Sequence, residues 1–271
     1  MELNKFLFSI DLEDIRFRME DGDQYAPRVP KVTKNILDWL DQRNLKITFF
    51  TVGDIAENYP EIIQEIESKG HEIACHSYRH LTLDKQTKDE FQKDLENNIE
   101  AILKAGATAP VGYRAPVFSL TGDRIWAYDI LKGAGIKYSS SVLPAKNPLF
   151  GWEGFGFEKK EMGGVLEIPI SLGKFLHKTV PFAGGVYFRV LPFGWVKKQF
   201  KKADAAGFPI LSYMHPYDFD TEQEKFMHPG INNSGFYNKL MYKNRDQLFT
   251  RLNEVCEGRE VLPYATWLGY R

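Results

Sequence analysis

The first half of the chain alternates short apolar runs with amphipathic stretches, and this alternation limits the available folds more than any single motif does. FLFSIDL (6–12) reads as a strand and VTKNILDWLDQRN (32–44) as a helix. KITFFTVG (46–53), rich in β-branched and aromatic residues and bounded by Gly53, reads as a buried strand. PEIIQEIESKG (60–70) has proline at a helix start and glycine just past its end. HEIACHS (71–77) follows as a short strand running into a loop, and TKDEFQKDLENNIEAILKAG (87–106) as a helix closed by Gly106. VGYRAP (111–116) is strand and loop, DRIWAYDILKGAG (123–135) helix, and IKYSSSV (136–142) strand. Repeated strand–helix order predicts an α/β fold with a parallel sheet, repeated often enough here to suggest a (β/α) barrel. Residues 145–192, rich in glycine, proline and aromatics, are expected to form hairpins and loops. A helix (195–206) and the strand FPILSYMH (208–215) resume the alternation, and a last long helix lies near 245–257. With no internal repeat or linker, one domain over 1–271 is the economical reading, with core motifs in 6–220 and a C-terminal helical extension in 221–271.

Composition removes several classes of function. A formal net charge of −1 with scattered Lys and Arg does not suit a phosphate-backbone partner. No apolar run reaches the roughly 18 residues that a spanning helix needs. The N-terminal MELNKFLFSIDLED lacks the apolar core and small-residue cleavage site of a signal peptide. Two cysteines, Cys75 and Cys256, give no disulfide framework, so a cytoplasmic setting is the expectation, with any membrane contact a peripheral one at the inner face.

Polar residues gather where the predicted strands end, which is where parallel α/β folds build their sites. HEIACHSYRH (71–80) holds three of the six histidines, and His76 and His80 stand four apart, a spacing that on helical or turn-like backbone points both imidazoles the same way. In SIDLED, strand alternation puts Asp11 and Glu13 on one face, with Asp14 at the strand exit. Carboxylates inside an apolar strand are costly unless paired or metal-bound. Arg114 in GYRAP and His215 in SYMHPYDFD complete the set, with Asp218 three residues after His215. Two histidines and a carboxylate leave coordination positions open, as a hydrolytic metal site requires. The spare aspartate suits a general base, the spare histidine a general acid, and Arg114 would keep the base ionised.

The order SIDLED, HSYRH, GYRAP, SYMHPYD resembles the polysaccharide deacetylases, the NodB-homology group called carbohydrate esterase family 4, over roughly residues 6–220. EIPIS (167–171), AGGVYFRVLP (183–192) and the HPYD element are similar to the bacterial branch linked to surface polysaccharides. The resemblance implies a deformed (β/α) barrel, usually seven-stranded, and metal-dependent removal of N-acetyl, sometimes O-acetyl, groups from sugars, typically with zinc. Carried onto this sequence, it makes Asp11 the catalytic base, His76 and His80 metal ligands, Arg114 the residue that tunes the base, and His215 the catalytic acid. The family's usual T-F-D-D is not kept, since Leu12 holds the second aspartate's place. Relatives with D-x-D or D-x-E point to Glu13 as the metal carboxylate, as strand alternation does; Asp14 is the substitute. The family's usual aspartate that orients the acid histidine is also missing, KYSSSV standing in its place, and Asp218 is the candidate replacement.

Tyr78, Pro116, Phe118, Arg189 and Asp218 are expected to contact substrate, the Tyr78 backbone N–H as an oxyanion donor and Arg189 either to an anionic substrate group or in a structural ion pair. Trp152, Phe155 and Tyr187 are further candidate sugar-stacking walls. The implied partner is an acetylated amino sugar, oligosaccharide, or lipid- or nucleotide-linked glycan. The loop at 147–157 is a candidate contact for a partner as much as for a substrate, and a homo-oligomer is a further candidate assembly. Two other readings stay open: a metal-independent cyclic amide hydrolase of the allantoinase type, and a non-catalytic carbohydrate-binding protein.

Overall fold

The computed structural model describes residues 4–146 and 150–271. Its strands are β1 (Asn4–Leu7), β2 (Ser9–Leu12), β3 (Thr48–Thr51), β4 (Glu72–Cys75), β5 (Gly112–Tyr113) and β6 (Tyr138–Ser139). They continue with β7 (Lys160–Met162), β8 (Val165–Glu167), β9 (Gly173–Phe175), β10 (Lys178–Val180), β11 (Ile210–Leu211) and β12 (Arg259–Val261). A seven-stranded sheet runs β2-β3-β4-β5-β6-β8-β7, parallel except for the β7–β8 hairpin. The next sheet, β11-β1-β12, continues it, because β1 and β2 are separated by Phe8 alone and Ile10 bridges to Met214. The remaining gap between β8 and β11 is spanned by a side chain, the Leu211 N–H donating to Ser171 Oγ at 2.9 Å. The result is the deformed α/β barrel expected from the sequence.

Strand alternation sorts the apolar residues into two cores. Phe49, Ile73, Cys75 and Tyr113 face the helices, packing against Ile36, Leu40, Ile63 and Phe91. Phe50, Ala74 and Tyr138 face the barrel interior with Leu7, Leu211 and Tyr264. The register pairs Thr51 with Cys75, Cys75 with Tyr113, Tyr113 with Ser139, and Ser139 with Glu167. The next residues along two of these strands, His76 and Arg114, therefore share a level above the barrel floor. The helices Val29–Asp41, Pro60–Ser68 and Lys88–Lys104 cover the outside, the last opened by a reciprocal Thr87–Glu90 capping box.

Two expectations need correction. The stretch 145–192 holds the β7–β8 and β9–β10 hairpins, but Gly185–Val190 in it is a helix, held to the barrel by the Gly185 N–H bond to the Tyr213 carbonyl. The extension 221–271 is not only helical: after Gly235–Tyr242 and Leu248–Cys256 it supplies β12, parallel to β1, and Tyr264 to the interior core. In the loop at 147–157, residues 147–149 lie outside the described residues; Phe155 is buried and Phe157 is exposed. No helix among the described residues is long and apolar enough to cross a membrane.

Candidate active site

Asp11 on β2 and Glu13 just past its end both project into the mouth of the barrel, as alternation requires, and both are buried. Asp14 turns away. It caps the 3-10 turn Ile15–Arg18 by accepting from the Arg16 N–H at 3.0 Å, and the Arg16 guanidinium grips its two oxygens at 2.7–3.2 Å. The turn sends Arg18 back over Glu13, Nη2 to Oε1 at 2.9 Å.

His76 leaves the end of β4 with Nδ1 2.8 Å from the Arg114 carbonyl, which can only accept. Nδ1 therefore carries the proton and the Nε2 lone pair faces the site, 3.9 Å from Asp11 Oδ2. His80 comes from the following loop rather than a helix, at positive φ (55°), and its Nε2 lies 2.8 Å from Glu13 Oε2. Two helix side chains hold that loop in place. Asn98 accepts from the His76 N–H at 3.1 Å while donating to the Thr51 carbonyl, and Asp94 accepts from the Tyr78 N–H at 3.0 Å. Sequence reasoning missed both, although Asp94 and Asn98 stand among Phe91, Leu95 and Ile102 on the buried face of Lys88–Lys104, where a polar residue needs a reason.

Glu13, His76 and His80 each offer a ligand atom, and these atoms lie within 4.8 Å of one another. Glu13 Oε2 is buried and faces His80 Nε2, itself a candidate ligand atom, a pairing that suits a cation. Burial alone would raise the Glu13 pKa, but Arg18, His80 and His215 outweigh it and hold the carboxyl well below its ordinary value. Burial pushes His76 down to about 4, against the pull of Asp11, so its imidazole is neutral as a ligand must be.

Arg114 fills the barrel interior beneath Asp11, closed to solvent. Its Nη1 meets Asp11 Oδ1 at 2.5 Å and Ser9 Oγ at 2.9 Å, its other nitrogens reach the Ser140 carbonyl and Tyr264 Oη at 3.1 Å, and its plane rests 3.9 Å from the centre of the Phe50 ring. Ser140 of KYSSSV thus serves Arg114, and Ser141 Oγ accepts from the next backbone N–H, that of Ala115.

His215 arrives because the Asp11 N–H bonds the Met214 carbonyl at 2.7 Å, tying the two chain segments together. Its Nε2 lies 3.8 Å from Glu13 Oε1, and its Nδ1 3.1 Å from Asp218 Oδ2. Asp218 also accepts from the His215 backbone N–H and, on its other oxygen, from Arg189 at 2.7 Å. Burial would lower the His215 pKa, yet Asp218 and Glu13 raise it; the Asp218 carboxyl, despite burial, is held low by Arg189 and His215.

This network corrects four expected substrate contacts. Arg189 is wholly buried in the ion pair with Asp218 and in bonds to the carbonyls of Met241 and Lys243, so it does not reach a substrate, and Asp218 is equally enclosed. The Tyr78 N–H is committed to Asp94, its hydroxyl bonds Glu57, and its ring covers Gly53, so it supplies no oxyanion donor. Pro116 is buried as the first residue of a short turn. Phe118 and Tyr187 do line the cleft above Asp11 and Glu13, together with Tyr213 and Tyr217. Trp152 and Phe155 instead pack on each other, with ring centroids 5.0 Å apart, outside that lining.

Residues 17–138 match the family model described as polysaccharide deacetylase, which contains His76, His80 and Arg114. Over that stretch, a little under half of the chain, the sequence is similar to the polysaccharide deacetylase family. Asp11 and Glu13 precede the stretch matched to that deacetylase model, and His215 lies in residues 140–264, which match a domain of unknown function (DUF3473). Among curated deacetylases, a peptidoglycan-N-acetylglucosamine deacetylase of Bacillus cereus is 35% identical over 96 residues, 35% of each chain. A chitooligosaccharide deacetylase of a Bradyrhizobium strain is 33% identical over 103 residues, 38% of this chain and 44% of that one. The chain thus spans less than half the length of these deacetylases. A crystal structure named as a polysaccharide deacetylase from Mycobacterium smegmatis superposes with a TM-score of 0.58 at 21% identity, covering 96% of this chain and 87% of that one. A family 4 carbohydrate esterase pseudoenzyme of Bacillus anthracis gives a TM-score of 0.54 at 13% identity, covering 98% and 66%. The deacetylase fold is therefore shared, and activity has to be argued from the site.

Proposed function

We propose that the chain is a metal-dependent hydrolase that removes N-acetyl groups from an amino-sugar glycan. The observation that carries this reading is the gathering of Glu13, His76 and His80 ligand atoms within 4.8 Å of one another, with Asp11 beside His76 and His215 beside Glu13. Two imidazole nitrogens and one carboxylate oxygen suit zinc best among the common divalent ions. An ion held by these three residues would lower the pKa of water and polarise the acetyl carbonyl.

The chain's own groups divide the proton transfers. Asp11, paired with Arg114 through Oδ1, uses Oδ2 as general base toward the attacking water. His215, with Nδ1 held by Asp218, carries the transferable proton on Nε2 and delivers it to the departing sugar nitrogen. Phe118, Tyr187 and Tyr217 offer flat faces for the sugar rings. The acetylated glycans named for the relatives, peptidoglycan and chitooligosaccharide, are the substrate classes to test first. The two cysteines are free, which fits a reducing, cytoplasmic setting and a glycan precursor as substrate.

Elemental mass spectrometry on the purified chain and on His76→Ala tests the reading. About one transition metal per chain, lost in the variant, together with acetate release from N-acetylated chitooligosaccharides, supports it. A parent that takes up no zinc on incubation sinks it.

A further inference from the structure

We propose that Arg18 is a positioning residue that makes Glu13 a one-oxygen metal ligand. This rests on the metal-dependent reading above and adds a role that the metal-binding residues themselves do not supply. The two oxygens of Glu13 have divided partners. Oε1 accepts from Arg18 Nη2 at 2.9 Å, whereas Oε2 is buried and faces His80 Nε2 at 2.8 Å, on the side where the three candidate ligand atoms lie together. A glutamate is long and flexible enough to turn both oxygens to one cation. A charge-assisted bond to one of them removes that option.

The turn that delivers Arg18 is built for the purpose by its neighbours. Asp14 caps it and Arg16 locks the cap, itself fastened to the Tyr25 carbonyl at 3.2 Å and the Tyr59 hydroxyl at 3.1 Å. The side chain of Arg18 is 28% exposed and lines the cleft, so it reaches Glu13 from the substrate side rather than from the core. Its second contact, Nη1 to His80 Nδ1 at 3.3 Å, needs a lone pair on that nitrogen, which a neutral imidazole does not have when Nε2 serves as the ligand, so the bond to Glu13 is the one the proposal uses. The consequence is an open position. With two histidines and one oxygen engaged, a bound ion would keep a place for water, for which a second Glu13 oxygen would compete.

Cobalt(II), whose visible absorption weakens as its coordination number rises, is the probe. The full chain, Arg18→Ala and Arg18→Lys are loaded with excess cobalt, cobalt content is measured, and folding is checked by circular dichroism. The expected result is an absorptivity that falls about twofold or more in Arg18→Ala at equal cobalt content, as the second oxygen binds, and stays near the parent's in Arg18→Lys, which keeps an N–H for Oε1. An unchanged spectrum in Arg18→Ala, or loss of its cobalt, overturns the proposal while leaving the metal site standing. A parent that binds no cobalt overturns the metal-dependent reading itself.

Discussion

Arg114 and Asp11, 103 residues apart, meet at 2.5 Å inside the barrel with both side chains withdrawn from water. Removing one partner of such a pair leaves a buried charge uncompensated. Arg114→Ala is expected to cost about 3–5 kcal/mol of stability, read as a lower melting temperature. Arg114→Lys keeps the charge but loses the fork that also serves Ser140 and Tyr264, and is expected to fold while losing most acetate release. A lysine variant with full activity would separate Asp11's role from this contact.

Glu13 and Asp14 should behave oppositely. Glu13→Gln is expected to abolish metal uptake with little change in melting temperature. Asp14→Ala should keep one metal per chain yet lose about 1 kcal/mol of stability, because it removes a turn cap and the Arg16 pair. Metal content and thermal melts of the two variants, measured together, check both halves.

Asp218→Asn removes the charge that holds His215 Nδ1 and leaves Arg189 buried beside a neutral amide. The expected outcome is a fall in kcat of about 10²-fold or more with a smaller change in KM, since orientation of the acid matters most in the transition state. An equal fall in metal content would assign the residue to the metal site instead.

His71 sets an acid sensitivity away from the cleft. Burial, aided by Lys46, pushes its pKa down to about 4; Nδ1 accepts from the Ile47 N–H at 3.2 Å, and Nε2 is buried without a partner. The unfolded histidine titrates near 6.5, so between these values the unfolded chain binds more protons. Stability is whole above about pH 6.5 and declines as pH falls toward 4, by up to about 3 kcal/mol from this group. His71→Gln, which keeps an acceptor for Ile47, should flatten that decline in urea melts across the range. An unchanged slope would remove His71 as its source.

Much of the site is visible in the primary structure because it follows local rules. Period-two alternation puts Asp11 and Glu13 on the inner face, and His76, Arg114 and His215 fall where apolar runs stop, so a strand-end site follows before any contact is known. The parallel barrel follows in the same way from repeated strand–helix order. Contacts that cross the chain carry no such periodic signal. Tyr264, at the far end of the sequence, supplies a hydroxyl to Arg114, and Arg189 reads equally well as a substrate contact until its pairing with Asp218 is seen. That Asp14 turns away to Arg16 while Glu13 faces the cleft beside Arg18 depends on the path of the Ile15–Arg18 turn, and the support of His215 on which carboxylate the fold brings to its Nδ1. Local sequence determines which face a side chain takes, since backbone geometry is periodic. Only the closed barrel decides which charges meet, because desolvation penalises every arrangement that leaves one of them alone.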